Sequence, residues 1–392
     1  MNTRKLTLLV PLIGILGVMP SPGQEFNSGS DGSYGPLNIT SNTTLSMPSN
    51  GVFHCTTIDI AAGTTLRFLR NALNTPVYLL ATSNVTVRGI VDVSGFDANP
   101  SIPTGGAGGP GGFDGGKPGF GASVPPGAGY GPGGGRGGAT VSGSTANSHG
   151  GGAYGTVGPS NSTTNKGATY GSPLLIPMAG GSGGGGGTGS PGIGGGGGGG
   201  AILIASSTRV DVPAGGAVRA LGLGGQSHYH CGSGGAIRLV APVVAGTGSL
   251  AVNGQSGYCG DGRIRIDSID RAALQLSLNP LAVSSVGSTM FVFPTPLPRL
   301  DVVEAAGTMI AVGTAAPVYI QLPFGSTTDR TVTVQAQDFG AVVPIRVALT
   351  PDSGEPVYYD DTIDNAAENP AQKVINVVMP VNVQVHVGVW TR

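Results

Sequence analysis

Cys231 and Cys259 sit in two copies of one local pattern, GQSHYHCGSGGAIRL from Gly225 and GQSGYCGDGRIRI from Gly254. Matching positions (Gln226 and Gln255, Cys231 and Cys259, Ile237 and Ile264) lie 27 to 29 residues apart. If the copies stack as neighbouring parallel strands, their backbones run about 4.8 Å apart. That is within the Cα separation a disulfide tolerates. A Cys231–Cys259 bridge across two layers is therefore expected, with Cys55 left over. Arg238 and Arg265 also match, and Arg263 lies beside them. In register they form a short cationic ladder that can pair with Asp261 and Asp267 or hold an acidic ligand such as a glycan.

Other residues have weaker claims to chemistry. His228, His230 and Cys231, with Cys259 or the pair His54–Cys55, are the right types for Zn or Cu. Their spacing fits no established metal motif. Asp360, Asp361 and Asp364 offer oxygens that suit Ca, without an EF-hand or nonapeptide frame. No cofactor is expected. Nucleophilic catalysis needs an elbow or a positioned base, and neither is recognisable. The glycine runs lack the strand–GxxxxGK[ST]–helix frame of a phosphate loop. Paired carboxylates for glycoside hydrolysis need not be close in sequence and stay open. No catalytic residue is assigned.

Composition narrows the partners. The net charge is −1, with no basic run, so the electrostatic footprint for nucleic acid is missing. The 392 residues include 73 Gly and 30 Pro but only 10% charged residues, the signature of repeat or low-complexity architecture. Residues 1–23 read as a secretory signal. Arg4 and Lys5 precede an apolar run from Leu6 to Met19, and small residues Ser21 and Gly23 precede Gln24. That run is too short to span a bilayer, and no later one is long enough. The expectation is a secreted or cell-surface protein without a membrane-spanning segment.

These residues need a repeating all-β frame to position them. Val77–Gly95, Ala201–Gly222 and Ala236–Gly254 align by eye. Each is an apolar strand, a small turn, a second short strand, a third strand and a closing Gly. Copies at Arg263 (RIRIDS) and Thr57–Phe68 are partial. Residues 24–293 are read as a parallel β-helix or β-solenoid, because each coil buries its apolar face only against the next. About residues 96–200 form a glycine-rich insertion. Its composition favours a flexible loop. The competing reading is an ordered bundle of polyglycine-II-like strands, which must hydrogen-bond to neighbours because that helix has no internal bonds. Pro294, Pro296 and Pro298 mark a linker. Residues 299–392 then read as a β-sandwich-like domain, with strands at Pro317–Leu322, Arg330–Ala336, Pro344–Leu349, Lys373–Met379 and Val381–Val389.

Gly195–Ala205 (GGGGGGAILIA), Gly232–Val240 (GSGGAIRLV) and Gly260–Ile266 (GDGRIRI) carry a resemblance. They resemble the glycine-rich bacterial surface and secreted proteins of the right-handed parallel β-helix class, over about half the chain. The resemblance implies architecture rather than activity. Polygalacturonase-type members carry Asn-Thr-Asp, Asp-Asp, Gly-His-Gly and Arg-Ile-Lys motifs; here only Ser148-His149-Gly150 and Arg263-Ile264-Arg265 come near. The functional expectation is a non-catalytic structural or adhesive protein, a matrix, sheath or filament component. It would self-associate or bind cell-surface glycans. The alternative is a glycan-binding or polysaccharide-degrading β-helix protein.

Overall fold

The computed structural model describes residues 26–99, 101–121, 123–138, 150–158, 166–188, 192–224, 230–255, 258–293, 296–314 and 317–392. The signal-like residues 1–23, Gln226 and His228 lie outside them. The described residues are all-β, with no α-helix. Fifteen strands precede the proline linker: β1 Gly35–Ile39, β2 Thr43–Ser46, β3 Val52–Ile60, β4 Thr65–Leu69, β5 Val77–Ala81, β6 Val85–Val87, β7 Ile90–Asp92, β8 Ala201–Ser206, β9 Arg209–Asp211, β10 Ala217–Arg219, β11 Ala236–Ala245, β12 Ser249–Ala251, β13 Arg263–Asp270, β14 Ser277–Asn279 and β15 Ser284–Gly287. Seven follow it: β16 Arg299–Ala305, β17 Thr308–Met309, β18 Asp329–Gln337, β19 Val342–Pro351, β20 Val357–Asp364, β21 Ala371–Val378 and β22 Val385–Thr391.

The strand pairing corrects the expected solenoid. In the larger sheet, six parallel strands, β3–β5–β8–β11–β9–β6, close on themselves, and β1, β13 and β15 extend from this ring. Closure comes from two long strands. β3 pairs through Val52–Cys55 with β5 and through Ile58–Ile60 with β6. β11 likewise pairs through Ala236–Val240 with β8 and through Val243–Ala245 with β9. The sequence pattern shows the repeat of short apolar strands but not that two of them run on far enough to join both ladders. A second parallel sheet, β14–β12–β10–β7–β4–β2, lies beside it. The β-branched and aliphatic residues favour these pleated positions. Alternate residues point inward to one core, including Phe53, Ile58, Leu79, Val91, Ile204, Val218, Ile237, Leu250 and Ile264.

The sequence-matched positions do sit side by side. Ile237 pairs with Ile264, Arg238 with Arg265 and Leu239 with Ile266. The outer face of β5, β8 and β11 is apolar as well, with Leu80, Leu203 and Val240 covered by Met290, Val292 and Phe293.

The C-terminal unit consists of two antiparallel sheets, β17–β16–β18–β21 and β20–β19–β22. They share an apolar cluster of Val332, Val334, Val343, Ile345, Val347, Leu349, Ile363 and Ile375. Arg330–Ala336 and Pro344–Leu349 fall within β18 and β19, and Lys373–Met379 and Val381–Val389 overlap β21 and β22, the last starting only at Val385. Pro317–Leu322 forms no strand. The β19–β20 turn ties this unit to the glycine-rich segment. Lys117 donates to Asp352, Ser353 Oγ donates to the Pro125 carbonyl at 2.8 Å, and Gly354 bridges Gly127.

Candidate functional site

The glycine-rich segment is the largest departure from a strand architecture. Its described residues are ordered by backbone hydrogen bonds. Gly183, Gly184 and Gly185 are consecutive, yet their N–H groups donate to three different neighbours, the carbonyls of Tyr130 (3.0 Å), Gly196 (3.0 Å) and Gly150 (2.9 Å). The pattern then repeats after three residues: Gly186 donates to Gly127 and Gly187 to Ile193. A helix with three residues per turn and no internal bonds points its amides outward in this way, as in polyproline II geometry. Parallel and antiparallel neighbours both take part. Gly116 and Gly119 donate to Gly184 and Gly187, whereas Gly181 and Gly184 donate to Gly199 and Gly196.

Only glycine permits this packing. A Cβ on Gly195 would lie 1.9 Å from the Gly184 carbonyl oxygen, and one on Gly183 would lie 1.9 Å from that of Asp114. The requirement is close approach of backbones rather than a left-handed φ. Buried backbone polar groups need partners, and the three-way bonding supplies them in a body almost without side chains.

One end of this polyglycine bundle joins the strands, since Gly200 runs into β8. The opposite end gathers connections. Phe120 and Val124 pair in a short hairpin, Gly119 bonds to Gly187, and Gly187 bridges Ile193. Beside them lie Ile102 and Thr104, the carbonyl of Thr104 next to Gly194. Ile102, Phe120 and Val124 are exposed here, Phe120 at 64%. This loop end is the candidate contact surface.

The predicted disulfide is present. Cys231 and Cys259 are bonded, with Cα atoms 5.8 Å apart, and both are buried. The bridge joins the two glycine-rich runs that lead into β11 and β13, both of which pack against the bundle through Gly151, Gly152 and Gly184. Linking residues 28 apart is expected to stabilise the fold by about 3.5 kcal/mol through loop-closure entropy. Thermal unfolding with and without reductant measures it. Cys55 is buried in the core, and desolvation pushes its thiol up to about 11. At pH 8 only about one molecule in a thousand would carry the reactive thiolate. Titration with a thiol reagent should therefore find no fast thiol in the folded protein. It should find one after denaturation, and three after denaturation with reduction.

The arginine ladder is turned inward, which corrects its reading as a site for an external anion. Arg238 is 0% exposed. Its Nε and one terminal nitrogen donate to Asp267 Oδ2 at 3.3 and 3.1 Å, and its other bonds go to the carbonyls of Thr289, Phe291 and Val292. Arg265 holds Asp267 Oδ1 at 2.6 and 2.9 Å. Burial lowers the Arg238 pKa, while the Asp267 charge opposes that shift. Two guanidiniums thus share one buried carboxylate, and Arg238 also fastens the chain leading to the C-terminal unit. Arg263 is separate: it donates to the Tyr170 carbonyl at 3.1 Å and faces the Tyr154 ring. Asp261 lies apart from the ladder, its carboxyl raised by burial and accepting from the Gly254 N–H.

The metal candidates do not converge among the described residues. Cys231 is spent in the disulfide, and His230 is buried with Nδ1 2.7 Å from the Gly185 carbonyl. His228 lies outside the described residues. The acidic residues, which lie on β20 rather than in a loop, are likewise occupied. Asp360 pairs with Arg346 and Arg392, Asp361 with Lys373, and Asp364 accepts from the N–H groups of Ala366 and Ala367. A groove of about 550 Å³ on the C-terminal unit is lined by Gly307, Asp329, Arg330 and Asn376 among others. Its lining offers one carboxylate, where glycoside hydrolysis uses a pair.

Comparison with protein-family models, curated proteins and solved structures finds no match to this chain. No described helix is long and apolar enough to cross a membrane. What the fold defines is a class: an all-β protein whose closed parallel sheet carries a polyglycine bundle, with a disulfide joining two glycine-rich runs packed against it.

Proposed function

We propose that this chain is a non-catalytic structural or adhesive protein of the cell exterior, a component of a matrix, sheath or filament. The observation that carries the reading is the three-way hydrogen bonding of the polyglycine bundle. It makes a stiff body with few side chains to support chemistry, and it holds an exposed apolar loop end away from the strands. Contact residues on loops held by a rigid scaffold are a common way to build a binding surface. The disulfide supports export, since such bridges persist in oxidising compartments. The signal-like residues 1–23 support it too.

The expected contact is with cell-surface glycan through Phe120, Ile102 and their neighbours, whose rings and methyl groups can pack on the apolar faces of sugars. A panel of acidic and neutral polysaccharides tests this, read for retention and for new reducing ends. Retention without cleavage, weakened by Phe120→Ser, is the expected result. Release of reducing ends would make the protein an enzyme and end this reading.

A further inference from the structure

The segment Pro317–Leu322 (PVYIQL) has the alternation and β-branched content of a strand, yet the fold does not use it as one. Its exposure alternates from Tyr319 to Leu322, whereas Val318 before them is 44% exposed. Ile320 and Leu322 are half-buried, Ile320 against the C-terminal core, while Tyr319 is 83% exposed and Gln321 points to solvent. Among the described residues, none of its N–H or C=O groups takes part in a hydrogen bond. A run of unpaired backbone whose side chains alternate in exposure is a template for pairing.

The same unit offers one matching edge. Of the four edge strands, β17 is only two residues long. β20 carries Asp360, Asp361 and Asp364, and β21 carries Lys373. Charges and short length are the usual protections of a sheet edge. β22 has neither: VHVGVWT is seven residues with no Lys, Arg, Asp, Glu or Pro. It bonds on one side only, to β19. β16 packs beside β22, so the connection that leaves β17 and contains PVYIQL starts at this same seam.

We propose that the chain self-associates by strand addition, Pro317–Leu322 of one copy pairing with the free edge of β22 of a second copy. Main-chain bonds supply affinity in such additions, and alternate side chains supply register. Each copy has one donor segment and one acceptor edge, so reciprocal exchange closes a dimer and one-way exchange builds a fibre. The surface is distinct from the loop end of the bundle, and glycan retention is expected to survive its loss.

Light scattering of the full chain from micromolar to millimolar concentration tests the proposal, together with amide exchange of β22 at both extremes. Association with concentration, and protection of residues 385–391 that rises with it, is expected. Gln321→Pro removes an N–H at an exposed, unbonded position and should weaken association at least about tenfold, while Gln321→Ala should not. A monomer at every concentration would overturn the proposal. So would equal association of the Gln321→Pro variant, or β22 amides protected to the same degree at all concentrations, which would mean that the segment covers its own edge.

Discussion

Replacing Gly195 with valine should dismantle the polyglycine bundle. The new Cβ would stand 1.9 Å from the Gly184 carbonyl oxygen and 2.6 Å from its carbon, both backbone atoms of the neighbouring helix. A flexible side chain could swing away, but backbone held by its own hydrogen bonds cannot. Overpacking a well-filled interior usually costs about 1–3 kcal/mol, and a clash with fixed backbone belongs at or above the top of that range. The change is expected at the bundle first. Hydrogen exchange should show loss of protection over residues 181–187 and 193–199. Trp390, the only tryptophan, lies in β22, so its fluorescence should stay native at temperatures where the bundle has already opened. Gly340→Ala is the control. Its site has open space and φ +61°, so the cost is only the ~1 kcal/mol of a left-handed alanine. Equal protection in Gly195→Val and the unaltered protein would mean that the glycine runs are not packed as described.

Asp267→Asn should be the most damaging single change in the strand body. Asp267 has no exposed surface and accepts from Arg238, from Arg265 and from the Thr289 N–H at 2.9 Å. Neutralising it leaves two guanidiniums facing each other in a dry site. Removing one partner of a buried ion pair typically costs about 3–5 kcal/mol, because the remaining charge has no compensation. Here the damage extends to the crossing segment 289–293, which Arg238 holds by its carbonyls. The midpoint of urea unfolding measures the loss, and limited proteolysis should cut near Thr289 in the variant before it cuts elsewhere. Replacing Arg238, Arg265 and Asp267 together by apolar residues of similar volume removes the unpaired charge, and the loss that remains is that of the bonds to the Thr289, Phe291 and Val292 carbonyls. If the single variant were as stable as the unaltered chain, the cluster would have to be open to water.

The disulfide and the arginine pair were legible because they depend on local spacing, whereas the loop-end residues Ile102, Phe120 and Val124 stood out by neither type nor period. The repeat around Cys231 and Cys259 placed like residues in neighbouring layers, and the bridge follows from that register. The same register set Arg238 beside Arg265. Which way the arginines faced was not legible. Ile237-Arg238-Leu239 alternates as a half-wet strand does, yet both faces of β11 are buried along Ile237–Val240. The covering residues, Met290 to Phe293, come from a stretch whose pattern looks like a linker. The strand expected at Pro317–Leu322 was a correct reading of propensity. It failed as a statement of structure because a strand also needs a partner.

The sequence by itself determined an all-β chain, the repeat of short apolar strands and the pairing of Cys231 with Cys259. Those features are written in side-chain type and period. Only the tertiary structure decided that six strands close into a ring and that the glycine runs pack into a bundle. Both rest on where backbone N–H and C=O groups find partners, and every residue other than proline carries the same two groups. In glycine the side chain that would reveal the choice is missing.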